Sequence, residues 1–489
     1  MKDQSLTKQA GLLSATESFR FIMKSLIGIV LARMLTPEDY GSYRQLFLIY
    51  TTFSTVLLLG IPQSMLYFIP KISDDLDRKR LVSRIVDMIS ILALLMFGGI
   101  LFFRGMIAQS FSNPQLSCLL LIFAGYPIFM FLSQVYSSIM MGMKRSDRVI
   151  RFTLFTIVTD FVLILGTALF FRKLEMIVLG LMLSAFLQWI YVRLKLRTMS
   201  IAYSWDKDFY KQQFSYSLPL GLSSIIGVLT VQLDKFVISG FFSPAQYAIF
   251  SIGAMELPFV GILTNSVNSV ILPAISSHTD KSQVTMLYRA AMRKNALLII
   301  PIAALCFVLA SDIISILYSD RYSSASIYFQ IYLIALLVRI GSYGILFQAL
   351  NRTKYILYNA IFTLSLNLGL NLILVNTPLK MKGPAIATVI VTYASMALYL
   401  YWIKSKLKFQ LGLMIPWLQI GRTLLSALIA GLISFWTISF IESIWLNLII
   451  GGSIFSICYL AVAYLLGAIL PYDIASIKTY IEGLIQRTR

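Results

Sequence analysis

Val30-Leu31-Ala32-Arg33-Met34-Leu35-Thr36-Pro37-Glu38-Asp39-Tyr40-Gly41 returns about 207 residues downstream as Val237-Ile238-Ser239-Gly240-Phe241-Phe242-Ser243-Pro244-Ala245-Gln246-Tyr247-Ala248. Each copy sets a hydroxyl-Pro turn and a Tyr between two long apolar runs. The same offset pairs Lys144-Arg145-Ser146-Asp147 with Asn351-Arg352-Thr353-Lys354, and Asp160 with Asn367. A constant offset at such distant points predicts two copies of one unit, residues 1–207 and 208–414, with 415–489 outside the duplication. Internal duplication in a very apolar chain is a habit of membrane transporters.

The 489 residues are 58% hydrophobic and 13% charged, with a mean hydropathy of +0.81. A soluble domain of this size has no interior large enough for so much apolar surface. Lipid must therefore serve as solvent, and the fold class is all-α integral membrane. Apolar runs predict spans near 12–33, 41–62, 85–103, 116–140, 152–171, 176–192, 214–238, 248–272, 295–317, 326–350, 356–375, 385–403, 419–440 and 445–470. About 14 spans of 20 residues take up roughly 280 positions, leaving only short loops. Six spans per copy is an even number, so the two repeats run parallel, followed by two extra helices.

Alternate loops sort by charge. One set holds roughly 28 Lys and Arg, including Arg78-Lys79-Arg80 and Lys404-Lys406-Lys408, and the opposite set roughly six. That bias places both termini in the cytoplasm. It also accounts for the formal charge of +20 without nucleic acid, because the basic residues sit on one side as short loop clusters. The polar start reads as a retained cytoplasmic end. After Pro471, Ile474, Ile477, Ile481 and Leu484 share one helical face, which predicts an interfacial helix.

The charges inside spans carry the chemistry. Glu17, Arg20 and Lys24 lie three and four residues apart, on one face of the first span. Each would cost about 2.5–3.5 kcal/mol against hydrocarbon, so together they should face protein or a watery cavity. Glu17 can pair with Arg20. The remaining positive charge is balanced either by an anionic ligand or by a static network with Asp160 or Glu256. Asp234 and Lys235 are neighbours in the seventh span, pointing about 100° apart, so mutual neutralisation is not expected. Arg339 is a deep cation of the tenth span, a ligand group of the second repeat or a structural partner of Asp234. Asp160 is placed to exchange a proton or bind Na⁺, or else to pair with Arg20 or Lys24. Arg33 and Arg44 flank the Thr36–Gly41 turn and either bridge Glu38 and Asp39 as an outer gate or anchor the interface. Breaks near Pro62, Pro127, Pro219, Pro258 and Pro301 allow kinks.

Cys118, Cys306 and Cys458 are far apart in apolar runs and read as small buried thiols, and with one histidine no metal site is expected. Walker, HExxH and Ser-His-Asp patterns are missing, so no enzyme and no cofactor are predicted. Energy would come from a gradient, the membrane potential or substrate supply.

Ala32–Gly41, with Gln232-Leu233-Asp234-Lys235-Phe236 and Ser243–Tyr247, resembles the signatures of the polysaccharide transporter family, in the superfamily that includes drug-extruding MATE antiporters and lipid II flippases. The likeness runs over the whole chain. Gly240 and Ala248 stand where the first copy has Arg33 and Gly41, so the outer basic feature is not duplicated. The resemblance implies a flippase of the Wzx type in the bacterial cytoplasmic (inner) membrane. Such a protein moves an undecaprenyl-diphosphate-linked oligosaccharide from the cytoplasmic to the outer leaflet by alternating access, for O-antigen, capsule or exopolysaccharide. It also implies a central cationic cavity between two six-helix lobes, with Arg20, Lys24, Lys235 and Arg339 as the diphosphate ligands. The partners implied are the lipid-linked oligosaccharide, membrane lipids, a polysaccharide polymerase and a chain-length regulator, with possible coupling to H⁺ or Na⁺. The alternatives are a lipid II flippase and a cation-coupled multidrug exporter. A glycan polymerase would need a large outer loop, which is not seen.

Overall fold

The computed structural model describes residues 2–199, 206–255, 257–277 and 280–470. Glu256 and the tail after residue 470 lie outside them. Among the described residues the chain is helical and contains no strand. It divides into two compact units, Met1–Ser251 and Ile252–Arg489.

The first unit contains α1 (Lys2–Met34), α2 (Pro37–Leu58), α3 (Ile61–Phe68), α4 (Asp75–Ser110), α5 (Gln115–Phe123), α6 (Tyr126–Gly142), α7 (Ser146–Phe171), α8 (Leu174–Leu196), α9 (Lys207–Phe241) and most of α10 (Pro244–Gly253). The second holds α11 (Pro258–Ser277), α12 (Lys281–Val308), α13 (Ala310–Tyr318), α14 (Ala325–Leu336), α15 (Tyr343–Ala349), α16 (Lys354–Leu374), α17 (Lys382–Ser405), α18 (Leu411–Met414), α19 (Trp417–Ile438), α20 (Ile444–Leu446) and α21 (Gly452–Leu465).

Among the described residues, eleven helices are long and apolar enough to cross a membrane, or up to 13 when each of two bent pairs counts as one span. The helix α1 has the length, but Glu17, Arg20 and Lys24 in its middle keep it outside that set. The outer surface carries large apolar side chains such as Phe102 (82% exposed) and Phe170 (86%). That is the pattern of a surface solvated by lipid, where no water penalises the exposure. Cys118 also lies exposed and Cys306 and Cys458 are half-buried, correcting the expectation of buried thiols; a short apolar side chain has no cost on a lipid face. All three cysteines are free.

Local sequence explains where the bundle bends. Thr36 caps α2: its Oγ1 accepts from the Asp39 N–H at 3.1 Å, with Pro37 in the first turn. The helix ends at Leu59 and Gly60, both left-handed, and α3 leaves at 44°. Gly60 has a φ of +74° and packs against α9, where a Cβ would lie 2.7 Å from the Gly221 nitrogen. A second bend, of 53°, separates α5 from α6 just before Pro127. Pro219 and Pro301 lie inside the continuous helices α9 and α12, and Pro258 starts α11. Pro62 and Pro127 mark the two sharp bends. Before Pro62 the backbone turns left-handed at Leu59 and Gly60, whereas before Pro127 it stays right-handed through Ala124 and Gly125, and at both the missing N–H falls in a first turn.

Candidate functional site

The helix α1 packs along α7, and α7 along α8. This layering carries the charged face of α1 toward Asp160. Arg20 and Glu17 form an ion pair one turn apart. Lys24 is exposed and makes no ion pair among the described residues; Asp160, Arg20 and Glu17 are the charges within its electrostatic reach. Asp160 is anchored from the far side. Its Oδ1 accepts from Ser184 Oγ at 2.7 Å and from Gln188 Nε2 at 2.8 Å, both on α8. Gln188 also donates to Thr159 Oγ1 at 3.1 Å. Ser184 and Gln188 are buried at 0% and 2% exposure, so Asp160 is held by groups with no water to replace it. Tyr43 and Tyr126 are close enough to sense its charge. Those rings are buried in a packed cluster, with Tyr50 and Phe123 each 4.7 Å from Tyr126, and form core instead of an open cage.

A second polar group ties α2 to α9. Asn113 Nδ2 donates to Ser42 Oγ at 2.8 Å and to Gln45 Oε1 at 2.7 Å. Gln45 Nε2 in turn donates to Ser239 Oγ at 2.7 Å. Ser42, Gln45, Asn113 and Ser239 are all buried. Close contacts flank this network, at Gly41 against the Pro244 backbone and at Gly221 against Leu59. Only glycine lets the helices come so near.

The remaining predicted residues fall as follows. Asp234 is 2% exposed on α9 and accepts from the Lys235 N–H at 2.7 Å. The Lys235 ammonium donates to the Val231 carbonyl at 3.1 Å and comes to 3.9 Å from Asp234 Oδ1. This corrects the expectation of divergent neighbours: the Cα–Cβ vectors diverge, but the four-carbon stem bends back along the helix. The Arg33–Asp39–Arg44 gate is not formed either. Among the described residues Glu38 and Asp39 make no ion pair, and Asp39 serves the cap of α2, accepting from Thr36 Oγ1 at 3.0 Å and Gln115 Nε2 at 3.4 Å. Arg44 lies near Tyr40, Tyr43 and Tyr247. In the second unit Arg339 is exposed on a 3-10 turn, Leu337–Ile340, that interrupts the span between α14 and α15. Asn295 Nδ2 donates at 3.2 Å to the Ile340 carbonyl freed by that break. Asn367, the repeat counterpart of Asp160, is buried and accepts from Asn371 Nδ2 at 2.6 Å. The second unit thus has a neutral amide pair where the first has a carboxylate.

The structure therefore gathers Glu17, Arg20, Lys24 and Asp160, keeps Asp234 and Lys235 together, and places Arg339 in the other unit. Ser184, Gln188, Gln45 and Asn113 were missed. The signal was present, because an amide within an apolar run needs a partner there.

The chain matches the family described as polysaccharide biosynthesis protein over residues 30–327, more than half its length. No curated protein matches. Among solved structures, the lipid II flippase MurJ in an inward closed conformation is similar at 16% identity and a TM-score of 0.77, covering 93% of this chain and 98% of that one. An inward-facing multidrug resistance MATE family transporter of the MOP superfamily follows, with 15% identity, a TM-score of 0.66 and coverage of 80% and 94%. A MOP superfamily transporter from Pyrococcus furiosus, described as having a binding pocket of reverse polarity, gives 16%, 0.56, and 82% and 96%. These likenesses establish the shared fold.

Proposed function

This chain belongs to the polysaccharide biosynthesis protein family, and on that premise we propose that it is a flippase for a polyprenyl-diphosphate-linked oligosaccharide, carrying it from the cytoplasmic to the outer leaflet of the inner membrane. The observation that carries the reading is Lys24. It is an exposed ammonium in the apolar stretch of α1, free of ion pairs among the described residues, beside an anionic side chain anchored elsewhere. A cation in that state within an apolar helix is matched by an anionic ligand, and a diphosphate accepts charge-assisted hydrogen bonds from Lys24 and from Arg20 once Glu17 yields. Lys235 and Arg339 are the further cations proposed for the headgroup.

Asp160 is the proposed coupling group. As a carboxylate it competes with the diphosphate for Lys24; neutralised by H⁺ or Na⁺ it leaves Lys24 to the ligand. Asp160→Asn should therefore bind the diphosphate more tightly and turn over more slowly. The polymerase and chain-length regulator are proposed to receive the flipped unit in the outer leaflet.

The multidrug reading rests on the acid-aromatic pairing of Asp160 with Tyr43 and Tyr126. Their rings pack on one another and leave no cage for an organic cation. The test is a deletion strain. Loss of the protein should trap undecaprenyl-diphosphate oligosaccharide in the inner leaflet and remove a surface glycan, and Lys24→Gln should fail to restore it. Accumulation of lipid II instead would assign the headgroup to that substrate. An intact glycan with new sensitivity to cationic drugs would refute the flippase reading.

A further inference from the structure

One cavity of the first unit stands apart from the charges of α1. It occupies about 500 Å³ between the turn that follows α3, the start of α4 and the start of α9. By the charge bias of the loops this is the cytoplasmic side. Its charged lining is balanced, with Lys71, Arg80 and Arg84 against Asp74, Asp77 and Asp206. Two of these pairs are in contact: Arg84 with Asp206 at 2.8 Å and Arg80 with Asp77 at 3.0 Å. Lys71 forms no ion pair among the described residues. Its ammonium sits 3.5 Å from the centre of the Tyr67 ring, which stacks on Tyr216 at 4.2 Å and 15°. Phe209, one of the lining side chains, lies two helical turns before Tyr216 on α9, so both rings share one face. The Arg84 guanidinium lies over Phe209 at 5.2 Å.

This chemistry selects its ligand. A phospholipid headgroup or a diphosphate would be met by a positive surplus, and the lining has none. A polyhydroxyl ligand asks for something else: carboxylates to accept from its hydroxyls, guanidinium and ammonium groups to donate to its oxygens, and aromatic faces for its C–H surface. All three are present, in a volume within the range of small-ligand sites.

We infer that this cavity is a docking subsite for the glycan of the lipid-linked substrate, taking an uncharged or zwitterionic sugar against Phe209, with the Tyr67–Tyr216 stack holding Lys71 at its edge. The inference rests on the flippase reading and adds to it a place where the sugar is recognised before the diphosphate reaches α1.

The test compares two lipids on the purified full-length protein in detergent, by native mass spectrometry. One is undecaprenyl diphosphate without sugar; the other is the undecaprenyl-diphosphate oligosaccharide extracted from the deletion strain. Wild-type protein should prefer the glycan-bearing lipid by about tenfold. Phe209→Ala, Asp77→Asn and Lys71→Ala should each reduce that preference by about threefold or more while leaving the sugar-free affinity within about twofold. Asp77 and Lys71 are exposed, so their variants should fold even where Phe209→Ala does not. A wild type that binds both lipids equally, or variants that lose both affinities together or keep the full preference, would overturn the subsite alone. Binding of neither lipid would overturn the flippase reading, and the subsite with it.

Discussion

Replacing Gln45 with Leu tests whether the buried amide network holds α2 to α9. Gln45 donates to Ser239 Oγ and accepts from Asn113 Nδ2, each at 2.7 Å, and its third contact, to the Phe111 carbonyl, is long at 3.4 Å. Leu fills nearly the same volume, so the cavity cost is small and the loss is that of two good bonds. Buried side-chain bonds in membrane proteins average about 0.6 kcal/mol and reach about 1.7. Asn113 keeps Ser42 as an acceptor, and the Ser239 hydroxyl is free to turn, so the penalty for stranded groups is modest. The expected cost is about 1–3 kcal/mol. In a unit of some 250 residues a loss of about 2 kcal/mol lowers the melting temperature by about 6 °C. The assay is thermal unfolding of the purified protein in detergent, for Gln45→Leu, Asn113→Leu and the double variant. The double variant should lose less than the sum, by about 0.5 kcal/mol or more, because both changes remove the same bond. A Gln45→Leu protein that melts within 1 °C of wild type, or a strictly additive pair, would show that glycine packing holds the helices and the network is incidental.

Gly221→Ala should cost about 1–3 kcal/mol, since its Cβ would meet the backbone of Leu59 at 2.5–2.7 Å, which cannot turn aside as a side chain does; an unchanged melting curve would refute this. Single cysteines at 20 and 24, in a background lacking Cys118, Cys306 and Cys458, should react with a membrane-impermeant thiol reagent from the cytoplasmic side, and protection of both from either side would remove the cavity from α1. The Phe209 N–H and then the Arg84 guanidinium hold the Asp206 carboxyl below the usual aspartate range. A depressed pKa gives stability that is present above the unfolded value of about 3.9 and lost as pH falls through the lower folded one. The melting temperature of wild type minus that of Asp206→Asn should therefore be flat above about pH 4 and shrink below it, and a difference that grows on acidification would contradict the assignment.

Much of this protein was legible in one dimension. Lipid leaves a spanning chain almost no choice but helix, so apolar runs translate directly into elements, and most predicted runs fall on a helix or a bent pair of helices, while 248–272 straddles the end of α10 and the start of α11. The cost of charge in hydrocarbon likewise singled out Glu17, Arg20, Lys24 and Asp160 before their packing was known. What the sequence left open is who meets whom. Asp160 had Arg20 and Lys24 as candidates, and packing of α7 on α8 gave its Oδ1 to Ser184 and Gln188. Asp39 had Arg33 and Arg44 at hand and went to a helix cap, because the Thr36 hydroxyl lies within one turn to donate to its carboxylate while accepting from its N–H. Lys235 folded back on its own helix, a matter of side-chain reach that Cβ directions do not reveal. The cavity beside Phe209 joins residues from 71 to 209, and no local pattern records such a meeting. Periodicity and transfer cost act along one chain segment and can be read from it. Pairing depends on the distance between segments, which exists only once the helices have packed.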